Sequence, residues 1–224
     1  MGTAAKGRTQ IKKLLVLAQE QALPLRILRD AGGSRTEFGV VVGLSKEWVV
    51  LAELREGVLR DGYVAFRTSS IKRVRVFDTF IGFVFIGFVR DNNQWPPHSP
   101  FLTADLSDPQ PLIRAALDTA GVISLYREDK HPEQLLIGIP VRWSKKHLWL
   151  FTINEHGQWE AFLDRFRLRD ITRIGFGGMY ERAVSATAGP MPEAVPKKDD
   201  RGKKVKLPST LSAPAVSGQS SPSR

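Results

Sequence analysis

The chain of 224 residues contains no cysteine, which excludes disulfides, thiolate zinc sites and thiol redox chemistry. Histidine is nearly as scarce. His98, His131, His147 and His156 are the only four, and none stands at metal-ligand spacing beside a second ligand. His147 and His156 could approach across a hairpin with Glu155 as an acid partner, although an ordinary turn accounts for the same residues. The longest apolar stretch, residues 79–89, falls far short of the ~20 residues that a membrane helix requires. Also missing are a glycine-rich phosphate loop, a serine in a nucleophile-elbow setting and a carboxylate pair placed for acid-base work. The expectation is a protein that is not an enzyme and that needs neither cofactor nor metal nor membrane. Its start, MGTAAKGRTQIKK, leads to no small-residue cleavage site, so the expected home is the cytoplasm.

What the chain has in excess is positive charge: 33 Lys and Arg face 23 Asp and Glu, a net +10. Location matters more than size here. Lys6, Arg8, Lys12 and Lys13 stand without an acid in residues 1–13, and seven bases meet only Glu193, Asp199 and Asp200 in residues 185–224. The body between is almost balanced. Basic ends of this kind either add salt-sensitive attraction to a polyanion or serve only as solubilising tails.

The body is organised as a repeat. GVVVGLSKEWVVL at residues 39–51 returns 99 positions later as GIPVRWSKKHLWL at 138–150. In each copy a glycine opens an apolar strand, a Ser-Lys pair (Ser45-Lys46, Ser144-Lys145) turns the chain, and a second apolar strand runs back, a hairpin pattern. Further on, Ile71-Lys72-Arg73-Val74 is answered by Ile171-Thr172-Arg173-Ile174. The division that follows is a basic segment 1–9, a first domain 10–90, a proline-stiffened linker 91–106, a second domain 107–183, and from 184 a Pro- and Ser-rich basic tail expected to be disordered.

In the first domain Ile11, Leu14, Leu15, Ala18 and Ala22 share a face, which predicts an amphipathic helix over residues 10–22 ended by Pro24. Then come a short strand over 25–28, the hairpin, a strand over 47–54 that is apolar on both faces, reversals at Glu56-Gly57 and Asp61-Gly62, and strands over 63–67 and from Ile71. Residues 80–89, FIGFV written twice, read as a buried strand reaching into the joint and covered by the second half. In the second domain Ser107 and Gln110 form a candidate capping box, Pro109 suits a first helical turn, and Gly121 stops the helix. Pro140 predicts an edge strand, because proline cannot donate to a ladder. The fold class expected is mainly β with short helices: two tandem small β-barrels of SH3-like size, each preceded by an α-helix.

Cations and aromatics interleave along these strands: Lys46 beside Trp48, Arg67 after Phe66, Lys145 and Lys146 after Trp143, Arg167 after Phe166. Surface aromatics beside cations suit stacking on unpaired bases, whereas core packing accounts for Trp48, Trp149 and Phe151. Arg67 and Arg167 occupy equivalent strand ends where no packing rule asks for arginine.

This layout resembles the Sm-like proteins, and over residues 11–76 the bacterial Hfq-type RNA chaperones in particular. Ala22-Leu23-Pro24-Leu25-Arg26-Ile27 looks like that family's helix exit, residues 39–51 match the hairpin of its first motif in length, and Phe66-Arg67-Thr68-Ser69-Ser70-Ile71 is similar to its second. There are departures. Ser45 and Ser144 stand where the family has a hairpin aspartate, Glu47 and Lys146 replace its base-stacking aromatic, and Thr68 and Leu168 replace the histidine beside the basic pore position held by Arg67 and Arg167. The resemblance implies two Sm-like barrels, single-stranded RNA as the partner, contact through Lys46, Arg67, Lys145, Lys146 and Arg167, and edge-strand pairing as an internal pseudo-dimer or within a homo-oligomeric ring. The departures and the near-neutral body keep a second reading open: an assembly scaffold that offers an edge strand to protein partners.

Overall fold

Periodicity and breakers set the first elements. In the structure, a computed structural model that describes residues 4–55, 59–76, 97, 99, 101 and 105–208, helix α1 spans Arg8–Glu20 and buries Ile11, Leu14, Leu15 and Ala18. Six strands make up the first half: β1 (Ala4–Ala5), β2 (Pro24–Asp30), β3 (Ser34–Leu44), β4 (Trp48–Arg55), β5 (Leu59–Arg67) and β6 (Ile71–Val76). The second half holds α2 (Pro109–Ala120), β7 (Ile123–Tyr126), β8 (Leu135–Trp143), β9 (His147–Ile153), β10 (Trp159–Arg167), β11 (Arg173–Phe176) and α3 (Met179–Ala188). Asp108, not Ser107, caps α2, its carboxylate accepting from the Gln110 N–H at 2.7 Å. Pro109 begins that helix and Gly121, at φ 75°, ends it.

The fold is mainly β, and its strands form one continuous antiparallel sheet in the order β1-β6-β2-β3-β4-β5-β11-β7-β8-β9-β10. Counted from β2 and from β7, each half repeats the order fifth, first, second, third, fourth. The expected pair of closed barrels therefore reduces to two like, open halves of a single sheet, joined where β11 pairs with β5. Strand β4 explains the sharing. Its Trp48, Val50 and Ala52 face a core that also contains Leu112, Ile113 and Ala116 of α2 and Leu148 and Ile174 of the second half. Its Val49 and Leu51 face the core beneath α1. The strand, read from the sequence as apolar on both faces, thus serves two cores at once.

Two expectations change in the strands. Gly39 and Gly138 do not open β3 and β8 but lie inside them, opposite Glu53 and Thr152. They mark close backbone approach: a Cβ on Gly39 would stand 2.5 Å from the Ala52 carbonyl oxygen, and one on Gly138 2.0 Å from that of Phe151. Pro140 does not mark an edge, since β8 lies between β7 and β9. The register shifts between Pro140 and Arg142, and a proline is tolerated at such a bulge inside a sheet. An equivalent shift falls between Val41 and Gly43 of β3. Nor is Asp61-Gly62 a reversal: β5 runs through it, Gly62 adopting φ +71°. The strand expected over 80–89 lies outside the described residues.

The expected disordered tail is also corrected as far as residue 208. Val184 lies in α3, and beyond it Val195 and Val205 are buried against Val141, Phe151 and Leu163, with Met191 and Leu207 packed alongside. Four widely spaced apolar residues are enough to seat a polar segment on an apolar face. Among the described residues no helix is long and apolar enough to cross a membrane.

Charge locks the joint between the halves. Arg29, fully buried on β2, donates to Glu37 at 2.7 Å and in bidentate fashion to Glu128 of the second half at 2.6 and 3.3 Å, lies over the Phe66 ring at 4.4 Å, and donates through Nε to Ser70. Arg173 of β11 contacts Glu37 at 3.3 Å and Glu53 at 3.8 Å. Burial pushes the Glu53 carboxyl up to about 7; Arg173 opposes the shift, and Glu37, Asp61 and Glu181 add to it. The folded protein thus holds a proton that the unfolded chain releases at the ordinary carboxylate value of 4.5. That contribution to stability is complete below about pH 4.5 and lost as the pH rises through about 7. Glu53→Gln is expected to raise stability at pH 8 by about 1–3 kcal/mol and to leave pH 4 nearly unchanged, as read from urea unfolding at both values. Equal effects at the two pH values would refute the assignment.

Candidate nucleic-acid interface

Turns and strand ends from both halves converge on one cleft of about 560 Å³ lined by Arg67, Asp108, Pro109, Lys145, Lys146, His147, Arg167, Leu168 and Arg169. Local chemistry builds its rim. In the β8–β9 turn the Ser144 hydroxyl accepts from the His147 N–H at 3.1 Å, which presents Lys145 and Lys146 at the tip. Strand β10 ends with Arg167 opposite His147. A single 3-10 turn over Leu168–Asp170 then carries Arg169 to the mouth. Pro109 and the capping Asp108 close the side at the first turn of α2.

Arg67 enters from the first half, and its geometry differs from that of Arg167. Its guanidinium lies over the Trp48 ring at 4.2 Å and donates to the carbonyls of Ile171 at 3.2 Å and Leu168 at 3.5 Å. Burial lowers its pKa from the ordinary arginine value, with Glu47 and Asp108 opposing. Arg67 is therefore half a structural tie across the joint and half a wall of the cleft. Arg167 is exposed and makes no side-chain hydrogen bond or ion pair with the described residues.

His147 forms part of the cleft wall. Burial lowers its pKa, and Arg165, Arg167, Lys146 and Arg201 lower it further. A guanidinium can only donate, so the 3.1 Å contact between Arg165 Nη2 and His147 Nε2 makes that nitrogen an acceptor on a neutral ring. His156 stands beyond the far end of β9, exposed, with Glu155 at 3.8 Å. The approach of the two histidines considered from the sequence does not occur.

Of the five cations singled out in the sequence, Arg67, Lys145, Lys146 and Arg167 line the cleft, and Lys46 does not. Lys46 contributes its carbonyl, which accepts from the Thr68 hydroxyl at 2.5 Å, while its side chain stays exposed in the equivalent turn of the first half. Arg169 was missed; it lies in a polar run after β10 with no signal of its own. The lining thus sets five Arg and Lys side chains against one acid, Asp108. Trp48, Phe66 and Phe166 are buried and belong to the core rather than to a stacking surface, whereas Trp143 is half-buried against the core with the Arg114 guanidinium over its ring. Among the described residues no cluster of His, Asp and Glu is arranged to hold a metal ion.

The fold and this cleft define a mainly β protein built from two like halves of one sheet, with a cationic cleft where the halves meet. No family model, no curated protein and no solved structure matches the chain.

Proposed function

We propose that this is a non-catalytic RNA-binding protein of tandem Sm-like build, a chaperone or regulator that holds single-stranded RNA by its phosphates in the cleft between its halves. One observation carries the reading: five cations from both halves line one cavity with a single acid among them. Two others support it. Each half repeats one strand order, and the halves join edge to edge through β5 and β11, the kind of pairing that the resemblance implies between Sm-like subunits. With no exposed aromatic in the lining, the ligand is gripped by charge and backbone contact rather than by base stacking, so little sequence preference is expected.

Replacing Lys145, Lys146 and Arg167 together with alanine is expected to weaken binding of a labelled single-stranded RNA at least about tenfold at 0.1 M salt. The same change is expected to reduce the slope of log K against log salt by about 2, at ~0.7 per lost phosphate contact. Lys46→Ala serves as the comparison and should leave both unchanged. An RNA affinity indifferent to the triple change would remove the cleft from the mechanism and favour the scaffold reading. Deleting residues 185–224 is not a clean test of the basic tail, because it would expose the face that Val195 and Val205 cover. Truncation after residue 208 leaves that face covered.

A further inference from the structure

Six of the seven bases in residues 185–224 are held in one ordered element, residues 197–206, KKDDRGKKVK. This segment folds back on itself as a tight hairpin. Lys198 pairs antiparallel with Lys204, the Asp199 N–H donates to the Lys203 carbonyl at 2.9 Å, and the Val205 N–H donates to that of Lys197 at 2.8 Å. Gly202 completes the turn at φ +71°, where a side chain would be strained. Asp199, 4% exposed, spends its carboxylate on the N–H groups of Arg201 and Lys203 at 3.1 and 2.9 Å. Val195 and Val205 root the hairpin in the apolar face of the second half, and the Arg142 guanidinium donates to the Lys206 carbonyl.

What this scaffold displays is charge. Lys197, Lys198, Arg201, Lys203, Lys204 and Lys206 are all exposed, and none forms an ion pair with the described residues. With Asp199 buried, Asp200 is the hairpin's one acid left at the surface. A tail that only solubilises has no use for such order, because fixing like charges together costs conformational entropy and mutual repulsion. A polyanion lying across them offsets that cost. The hairpin also meets the cleft. Leu163 of β10 donates to the Lys198 carbonyl at 3.0 Å and accepts from the Asp200 N–H at 2.9 Å. Its bridge to Asp199 is parallel, so the turn runs along β10 toward Arg165 and Arg167. Arg167 lines the cleft four residues beyond Leu163, about 13 Å along the strand. Between them Arg165 donates to His147 of the cleft wall at 3.1 Å. Arg201 joins Arg165, Arg167 and Lys146 in lowering the His147 pKa. One stripe of cations therefore leads from Lys145 and Lys146 past Arg167 and Arg165 to the hairpin. It lies outside residues 11–76, which carry the likeness to the Hfq-type proteins.

We propose that the hairpin over residues 197–206 continues the cleft as a phosphate track: a single strand seated in the cleft runs on over Arg167 and Arg165 to Arg201, Lys203 and Lys204. This rests on the RNA reading of the cleft and adds a length dependence to it, since a short strand fills the cleft alone and a longer one also engages the hairpin. The test compares labelled, unstructured RNAs of about 4 and about 16 nucleotides, the span of single-strand site sizes in small β-barrels. Arg201→Gln, Lys203→Gln and Lys204→Gln together change only exposed side chains and leave the Asp199, Val195 and Val205 anchors in place. They are expected to weaken the longer RNA at least about tenfold at about 0.1 M salt and to lower its slope of log K against log salt by about 2, while the shorter RNA stays within about twofold. Arg8→Gln, Lys12→Gln and Lys13→Gln on α1 remove the same charge elsewhere and should leave both RNAs within about twofold, because charges beyond a Debye length of ~10 Å are screened. A cleft triple change that weakens both RNAs, beside a hairpin triple change no worse than the α1 one, would overturn the track and leave the cleft reading standing. Affinities indifferent to all three sets would overturn both. Should the shorter RNA bind too weakly to measure, the absence of cysteine supplies a second readout. Lys203→Cys carrying a photocrosslinker is expected to label the longer RNA, and to stop doing so once Lys145, Lys146 and Arg167 are changed to alanine. No adduct with RNA held by an intact cleft would overturn the proposal.

Discussion

Glu128→Ala is expected to cost about 3–5 kcal/mol, because it strands a buried guanidinium. Arg29 is fully buried, and Glu128, itself 1% exposed, supplies two of the carboxylate contacts that hold its charge. The alanine chain would keep Glu37, the Ser70 hydroxyl and the ring of Phe66 against that charge. It would also lose a tie between the halves, since Arg29 lies on β2 and Glu128 follows β7. Urea unfolding at pH 7 measures the loss. Arg29→Met combined with Glu128→Leu should cost clearly less than the two single changes added together, because the pair's mutual attraction is removed along with its desolvation. A loss below about 1 kcal/mol for Glu128→Ala would show that this ion pair contributes little to the joint.

Gly138→Ala is expected to be about as damaging, for a steric reason. Its new Cβ would lie 2.0 Å from the Phe151 carbonyl oxygen, 2.8 Å from that carbonyl carbon and 2.9 Å from the Thr152 Cα, all of them backbone atoms of β9. No side-chain rotation relieves such a contact, so β8 and β9 must separate where the ladder is formed. A loss of about 3 kcal/mol or more is expected, at the upper end of overpacking effects. Gly39→Ala should cost less. There the nearest backbone atom is at 2.5 Å and the next neighbour is the Leu51 Cβ at 2.9 Å. The ranking can be read from the denaturation midpoints of the two variants, and the opposite order would contradict the geometry.

These two sites differ in how legible they were. The glycines announced themselves by returning at the same place in each half, because a position where two backbones touch admits no side chain whatever the neighbours become. The Arg29–Glu128 pair left no sign. Arg29 lies just past the strand read over 25–28 and Glu128 carries no local pattern, and only the packing of one half on the other removes both from water. The cationic cleft lies between these cases. Four of its five cations could be named from turns and strand ends, since Ser-Lys hairpin tips and post-strand arginines are local features. That they share one cavity, that Lys46 stays outside it, and that Arg67 is half consumed in holding carbonyls of the other half depend on which halves meet and by which edge.

The sequence by itself determined what short-range chemistry can specify: the helix of α1 and its apolar face, the first-turn proline and the stop of α2, the strands as period-two apolar runs, the repeated hairpin, and the mainly β class. Each depends on neighbours a few residues away, where periodicity, proline and glycine act directly. The tertiary structure alone decided that the halves share one open sheet, that α2 covers a core drawn from both, that Pro140 sits at a central bulge, and that residues up to 208 bind back over Leu163. Each depends on which strands and segments meet, from the neighbours of β8 to the β5–β11 joint that brings together residues about a hundred apart, and nothing local in the chain distinguishes an edge that will be covered from one that will stay open.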